Sequence, residues 1–117
     1  MDRNWKIILY ETTNGASPIK EFIESLEQKA QTKIYNTLEL LKEFGIGLSA
    51  PHVKKLTGTN LWELRVLGAD SIRIFYIARE GRNFLLLHGF QKKKQKTSSK
   101  EIKIARDRLH EYNTRKS

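Results

Sequence analysis

Residues 62–66 read WELRV, and this alternation of apolar and charged side chains is typical of a β-strand with one buried face. A turn sequence at residues 68–70 separates this strand from a second apolar run at residues 72–77. Another turn cluster, at residues 79–83, leads into a third run at residues 84–90. Three strands joined by short turns predict an antiparallel meander, against which the other elements must pack.

The N-terminal half predicts one strand and a helical hairpin. Residues 5–10 read WKIILY, are rich in β-branched and aromatic side chains, and run into a turn cluster. Ser17-Pro18 is a typical helix start, and apolar residues recur with helical spacing as far as Leu26. A second helical stripe, which Gly45 can terminate, consists of Ile34, Leu38, Leu41 and Phe44.

The C-terminal segment predicts a last helix. Ser98 and Glu101 have the spacing of a capping box, and an apolar stripe follows over residues 102–112. With a loop expected at residues 45–51, the element order is β, α, α, β, β, β, α. This order predicts an α+β fold, a small antiparallel sheet with the helices packed on one face. A chain of 117 residues has room for one core, so we expect a single domain, 1–117.

Composition excludes several kinds of site. The chain has no cysteine, which rules out disulfides, Cys-ligated metal centres and thiol nucleophiles. Its three histidines lack the spacing of a metal site, and no glycine-rich phosphate loop occurs, so we expect no metal and no cofactor. No apolar stretch approaches the roughly 18 residues that a membrane span needs. We therefore expect a cytoplasmic protein with no membrane partner.

Positive charge is concentrated near the C-terminus. The net charge is +9, of which residues 1–90 contribute +2 and residues 91–117 contribute +7. A local basic surplus favours a polyanionic partner such as nucleic acid. The run that includes Lys92, Lys93, Lys94 and Lys96 is equally typical of a solvated surface, so charge alone leaves both interpretations open.

Strand alternation gathers the charges of the meander on one face. If Trp62 and Leu64 pack under the helices, Glu63 and Arg65 lie on the opposite, open side of the sheet. Arg73 on the neighbouring strand shares that side. These charges could simply keep the sheet soluble, because cross-strand ion pairs of this kind contribute well under about 1 kcal/mol.

Lysines near the strand ends can join these arginines. The pair Lys54-Lys55 precedes the predicted second strand, and Lys92, Lys93 and Lys94 follow the fourth. Arginine binds phosphate oxygens in a bidentate manner, and lysine adds positive potential as charge builds in a phosphoryl-transfer transition state. The convergence of these cations therefore suits a phosphodiester backbone.

Four side chains are candidates for proton transfer. Glu63 lies between the predicted core residues, and His52 lies in the loop ahead of Lys54. His88 sits in an apolar run that permits either strand register. His110 falls on the last helix and is most simply a surface residue.

Three segments together resemble a known family. They are HVKKLTGTNLWELRV (residues 52–66), SIRIFY (residues 71–76) and LLHGFQKKKQKTSSKEI (residues 86–102). In this order, after a helical hairpin, they are similar to the RelE/ParE toxin superfamily and most closely to its HigB-like, phage-associated branch. The resemblance covers nearly the whole chain. It implies a RelE-like βααβββα ribonuclease of a type II toxin-antitoxin system, which cleaves mRNA on the ribosome and is inhibited by a helix-turn-helix (HigA-like) antitoxin.

The resemblance also implies roles for individual residues. Arg73 occupies the position of the phosphate-stabilising arginine, and Arg65 matches a basic strand residue of the same groove. His52 and Lys55 resemble the histidine and lysine that HigB-type enzymes place beside the scissile phosphate. Further RNA-binding lysines are Lys54, Lys92, Lys93, Lys94 and Lys96. A tyrosine that RelE relatives often carry in the early C-terminal segment has no counterpart, since residues 96–99 read KTSS.

The expected reaction is metal-independent. The RNA 2′-hydroxyl attacks the adjacent phosphorus, and the protein orients the chain, stabilises the phosphate and moves protons through His52 or Glu63. Two alternatives remain open at this point. One is a ParE-like toxin of the same fold that inhibits DNA gyrase, and the other is a nonenzymatic RNA-binding module.

Overall fold

The computed structural model describes residues 4–69, 71–93 and 98–116. The α+β class is confirmed, with one strand more than predicted because residues 53–55 pair with the meander instead of remaining in the loop. The elements are β1 (Lys6–Leu9), α1 (Pro18–Glu24), α2 (Gln28–Phe44), a short 3-10 turn (Gly45–Gly47), β2 (Val53–Lys55), β3 (Trp62–Arg65), β4 (Ile72–Arg79), β5 (Asn83–Gln91) and α3 (Ser99–Lys116).

The five strands form one sheet in the order β1-β5-β4-β3-β2. β2 to β5 form an antiparallel meander, as predicted, whereas β1 pairs with β5 in parallel. The prediction of a wholly antiparallel sheet is therefore wrong at β1. The helical hairpin carries the chain from β1 to the far edge, and the meander then returns to β1 with its last strand running in the same direction.

The helices cover both faces of the sheet. A Cβ atom added at Gly89 would lie 2.7 Å from the Phe22 ring of α1. The preceding residue, His88, instead contacts Glu101 and Arg108 of α3. Because neighbouring strand residues point to opposite faces, α1 and α3 lie on opposite sides of β5. The prediction that all helices share one face is wrong for α3.

Apolar stripes of the helices pack into the core as predicted. Ile19 and Ile23 of α1, and Ile34, Leu38 and Leu41 of α2, are buried. Two predicted core residues are not. Phe44 ends α2 and is 54% exposed, and Trp62, the first residue of β3, is 39% exposed opposite Lys55 of the edge strand β2.

α3 is fixed against the sheet along much of its length. Ala105 and Leu109 are buried in the core. Near the C-terminal end, the Tyr10 hydroxyl donates a hydrogen bond to Glu111, and Arg115 donates to the Glu11 carbonyl. None of the described helices combines the length and the apolar content that crossing a membrane requires.

The close contact at Gly89 predicts a specific loss of stability. Gly89→Ala would force a Cβ atom to within 2.7 Å of the Phe22 ring, so either α1 or β5 must shift. We expect the free energy of unfolding to fall by about 1–3 kcal/mol in urea titrations. Gly47→Ala is the matched control, because a Cβ atom there meets nothing within 4 Å. Equal stability of the two variants would show that α1 does not pack closely on β5.

Candidate nucleic-acid interface

One face of the sheet collects the charged residues of the meander. We call it the arginine face, and α3 covers part of it. Cross-strand register sets Glu63 between Lys54 and Phe75, and Phe75 opposite His88. The next row sets Arg73 between Arg65 and Phe90. The arginine face therefore carries Lys54, Glu63, Arg65, Arg73, Phe75, His88 and Phe90.

Arg65 and Arg73 face the same side of the sheet as direct cross-strand neighbours, as the strand alternation predicts. Like charges at opposed positions destabilise a sheet unless an anion lies between them. Glu63 is that anion, because its Oε2 atom lies 3.5 Å from Arg65 Nε and 3.8 Å from Arg73 Nε. Glu63 is only 1% exposed. The expectation that Glu63 lies on an open surface is therefore wrong.

Sequence spacing contained a signal for this pairing. Glu63 and Arg65 are two residues apart on one strand and so share a face. A buried carboxylate requires a cation and hydrogen-bond donors nearby. The alternating pattern assigned all charges to solvent, because it could not show that α3 crosses the same face.

The outer ends of the two guanidinium groups remain available. Arg65 donates to Glu63 from Nε, whereas Arg73 Nε faces Glu63 at 3.8 Å without a hydrogen bond and Arg73 Nη1 donates to the Ile72 carbonyl at 3.0 Å. Within residues 4–69, 71–93 and 98–116, the Arg65 Nη groups and Arg73 Nη2 have no hydrogen-bond partner. The Arg65 and Arg73 side chains are 30% and 19% exposed. Solvent therefore reaches donors that can bind an anion.

His52 lies directly beside Arg65. The Arg65 N–H donates to the His52 carbonyl at 2.8 Å, which extends the β2–β3 register by one residue. Side-chain alternation then assigns His52 to the arginine face. Its Nδ1 atom is buried and has no hydrogen-bond partner in the described part of the chain. This nitrogen is therefore enclosed, while the His52 ring as a whole is half-buried beside Arg65.

The two lysines of β2 lie on opposite faces of the sheet. Lys54 is paired with Glu63 in the register and lies, exposed, on the arginine face. Lys55 pairs with Trp62 on the other face, where its ammonium group lies 5.8 Å from the Trp62 ring and donates to the Thr59 carbonyl. The predicted meeting of Lys55 with His52 and the arginines does not occur, because consecutive strand residues point to opposite faces.

The lysine run begins where β5 ends. The Lys92 N–H donates to the Ser71 carbonyl at 2.8 Å, which places Lys92 two residues beyond Phe90, the neighbour of Arg73. Lys93 is exposed. Lys94 and Lys96 lie outside the described residues. Lys92 and Lys93 therefore lie at the same end of the sheet as Arg73.

His88 is held between two side chains of α3. Its Nε2 atom lies 3.0 Å from Glu101 Oε1, and Arg108 Nη1 lies 3.3 Å from Nδ1. A guanidinium group only donates, so Nδ1 accepts and Nε2 carries the proton that is donated to Glu101. Burial is the main cause that lowers the pKa of His88, opposed by Glu101 and reinforced by Arg108. His88 is thus a neutral link between β5 and α3.

This link corrects one prediction and confirms another. The Glu101 side chain contacts His88 instead of returning to the cap residue, while the Ser98 hydroxyl accepts the Lys100 N–H as an N-cap does.

His110 is exposed on α3, as expected. In the described ranges, no three His, Asp or Glu side chains lie close enough together to hold a metal ion.

An apolar pocket opens on the opposite face of the sheet, beside Trp62. Its lining side chains are Ile46, Leu48, Val53, Trp62, Tyr76, Ala78 and Phe84. They bring no charge into the pocket. The arginine face is therefore the better candidate for a phosphate-bearing ligand.

The fold and the site define an α+β protein with a cationic sheet surface next to its last helix. The model of the Gp49-like family of phage-derived proteins (DUF891) matches residues 21–110, so the chain belongs to that family. The family is part of the RelE/HigB-like toxin superfamily, and its members are commonly toxins that pair with an antitoxin. Comparison with curated proteins gives no match.

The His88 link predicts a pH-dependent stability. The pKa of His88 lies below its ordinary value of 6.5 in the folded state, so below about pH 6.5 the unfolded chain binds a proton that the folded chain does not. The free energy of unfolding should therefore fall as the pH decreases from 7.5 to 5.5, by at most about 1.4 kcal/mol per pH unit from this residue. Urea titrations at both pH values measure the change.

The matched pair for this measurement is His88→Gln and His110→Gln. His88→Gln should lose part of the pH dependence, whereas His110→Gln should keep it because His110 is exposed on α3. An unchanged pH dependence in His88→Gln would contradict the assignment of His88 as a neutral buried link.

Proposed function

We propose that this protein is the toxin of a type II toxin-antitoxin system and an endoribonuclease that cleaves mRNA on the ribosome. The observation that carries the proposal is the pair of adjacent arginines on the arginine face, whose outer donors are open to solvent. Two guanidinium groups side by side match the geometry of a phosphate group. The family membership supports a toxin, and the arginine pair supports the ribonuclease chemistry.

The proposed reaction uses a nucleophile that RNA itself supplies. The ribose 2′-oxygen forms a bond to the adjacent phosphorus as the bond from phosphorus to the 5′-oxygen breaks. The proton of the 2′-hydroxyl leaves with a base, and a proton is delivered to the departing 5′-oxygen. The products are a 2′,3′-cyclic phosphate and a 5′-hydroxyl, and DNA is not cleaved because it lacks the 2′-hydroxyl.

Each residue then has a task that its position permits. Arg73 and Arg65 stabilise the charge that builds on the phosphate oxygens in the transition state. His52, whose half-buried ring lies beside Arg65, transfers a proton. RNA-binding contacts to the backbone come from Lys54, Lys92, Lys93, Lys94 and Lys96. Lys55 is not part of this mechanism, because it lies on the other face.

The partners follow from the same proposal. The substrate is mRNA in the ribosome, and the inhibitor is a helix-turn-helix antitoxin of the HigA type, as in the HigB-like branch. An acidic antitoxin segment would complement the net charge of +9.

The test uses purified protein, translating ribosomes and end-labelled mRNA. Arg73→Ala should lower the cleavage rate by about 100- to 1,000-fold, because one preorganised donor to the phosphate is lost. Arg106→Ala is the matched control, since Arg106 is an exposed arginine of α3. Cleavage by Arg73→Ala at the parental rate would remove this residue from the mechanism.

Wild-type protein also separates the alternatives. Loss of DNA supercoiling without RNA cleavage would identify a gyrase inhibitor. Salt-sensitive RNA binding without new RNA ends would identify a nonenzymatic binding module. Either result would overturn the ribonuclease proposal.

A further inference from the structure

We propose that Glu63 is a positioning residue, which holds Arg65 and Arg73 together as a two-part receptor for a single phosphodiester group. The inference rests on the proposed function, because it assigns the receptor to the same RNA site. It goes further in giving a role to a carboxylate that never touches the substrate.

The contact geometry is the first argument. A single oxygen of Glu63 accepts a hydrogen bond from Arg65 Nε at 3.5 Å and lies 3.8 Å from Arg73 Nε, an ion-pair contact in which the buried Arg73 Nε has no hydrogen-bond partner within the described residues. The Nε atom lies on the inner side of the guanidinium group, next to the aliphatic stem. When both inner edges turn toward Glu63, the terminal nitrogens turn toward solvent, where a phosphate can bind them.

Electrostatics is the second argument. Arg65 and Arg73 are opposed across β3 and β4, and each would repel the other if no anion lay between them. With Glu63 the three groups sum to one positive charge, and the two cations can remain on the same side of the sheet. Without it, the more exposed Arg65 would be expected to turn into solvent.

Burial is the third argument, and it excludes proton transfer by Glu63. The side chain is 1% exposed, and its cross-strand neighbour Phe75 is fully buried. An RNA hydroxyl cannot reach the carboxylate through the two guanidinium groups. Glu63 therefore acts through the arginines, and His52 is the candidate for the proton.

Glu63→Gln separates positioning from binding, because it keeps the shape of the side chain and removes its charge. We expect kcat to fall about tenfold or more, as for a misplaced catalytic group. KM should change less than about twofold, and binding to an all-DNA analogue should stay equal or tighten, since the site gains positive charge. Glu80→Gln is the matched control, with the same charge change on an exposed turn between β4 and β5.

Three readouts distinguish positioning from other roles. A general structural role would lower the melting temperature and weaken binding together with kcat. A proton-transfer role would remove one limb of the pH profile of kcat, whereas a positioning role leaves the profile in place. Parental kcat in Glu63→Gln, a lost pH limb, or parallel losses of binding and stability would each overturn the proposal.

Coupling between the arginines tests the proposal even when RNA is not cleaved. Binding of the all-DNA analogue is measured for Arg65→Ala, Arg73→Ala and the double variant, in the parental and the Glu63→Gln backgrounds. We expect non-additive effects in the parental background, because Glu63 couples the two arginines, and additive effects in the Glu63→Gln background. Absence of RNA cleavage would refute the proposed function alone, and additivity in the parental background would refute positioning by Glu63.

A measurement on the wild-type protein covers the case in which Glu63→Gln does not fold. The Nε–H proton of Arg65 is hydrogen-bonded to Glu63 and that of Arg73 is buried beside it, so both should exchange with solvent more slowly by NMR than that of the exposed Arg106. Equal exchange rates for the three arginines would overturn the proposal.

Discussion

The ion pairs of Glu63 with Arg65 and Arg73 are the contact on which the arginine face depends. Burying a carboxylate is costly unless cations and donors surround it, and two opposed guanidinium groups need an anion between them. The buried carboxylate therefore requires the two guanidinium groups, and the two guanidinium groups require the carboxylate. The pairing of β3 with β4 brings these residues together, because it sets Arg65 opposite Arg73 and leaves Glu63 one row away.

α3 completes the same face. It crosses the sheet on this side, with Ala105 and Leu109 in the core, and it is linked to β5 through His88. The helix shields one part of the face and leaves the outer ends of the two arginines exposed.

Much of the fold could be predicted from periodicity, because the meander and the amphipathic helices have clear apolar patterns. The shared face of Arg65 and Arg73 also followed from alternation alone. The predictions that were wrong concern features that depend on contacts between distant segments of the chain. β2 has three residues and gives no periodic signal, and the parallel pairing of β1 with β5 is a property of topology. Trp62 begins the inner strand β3 and is nevertheless partly exposed, which strand alternation alone does not indicate.

The candidate site was predicted only in part, because it too depends on contacts between distant segments of the chain. Residue types identified the cations, but the pattern could not show that Glu63 is buried or that Lys55 faces away from Lys54. Consecutive residues of a strand lie on opposite faces of the sheet, so the faces of Lys54 and Lys55 can be assigned only once β2 is known to be a strand. The apolar pattern did not predict β2. The roles proposed for His52 and the arginines therefore rest on the three-dimensional arrangement together with the family resemblance.

The most direct measurement uses an RNA with a single 2′-deoxy nucleotide on the 5′ side of the cleaved bond. If the 2′-hydroxyl is the nucleophile, this one substitution abolishes cleavage at that bond, while neighbouring sites are still cut and yield 2′,3′-cyclic phosphate ends by mass spectrometry. Cleavage at the 2′-deoxy position at the normal rate, or products that carry a 5′-phosphate, would contradict this mechanism.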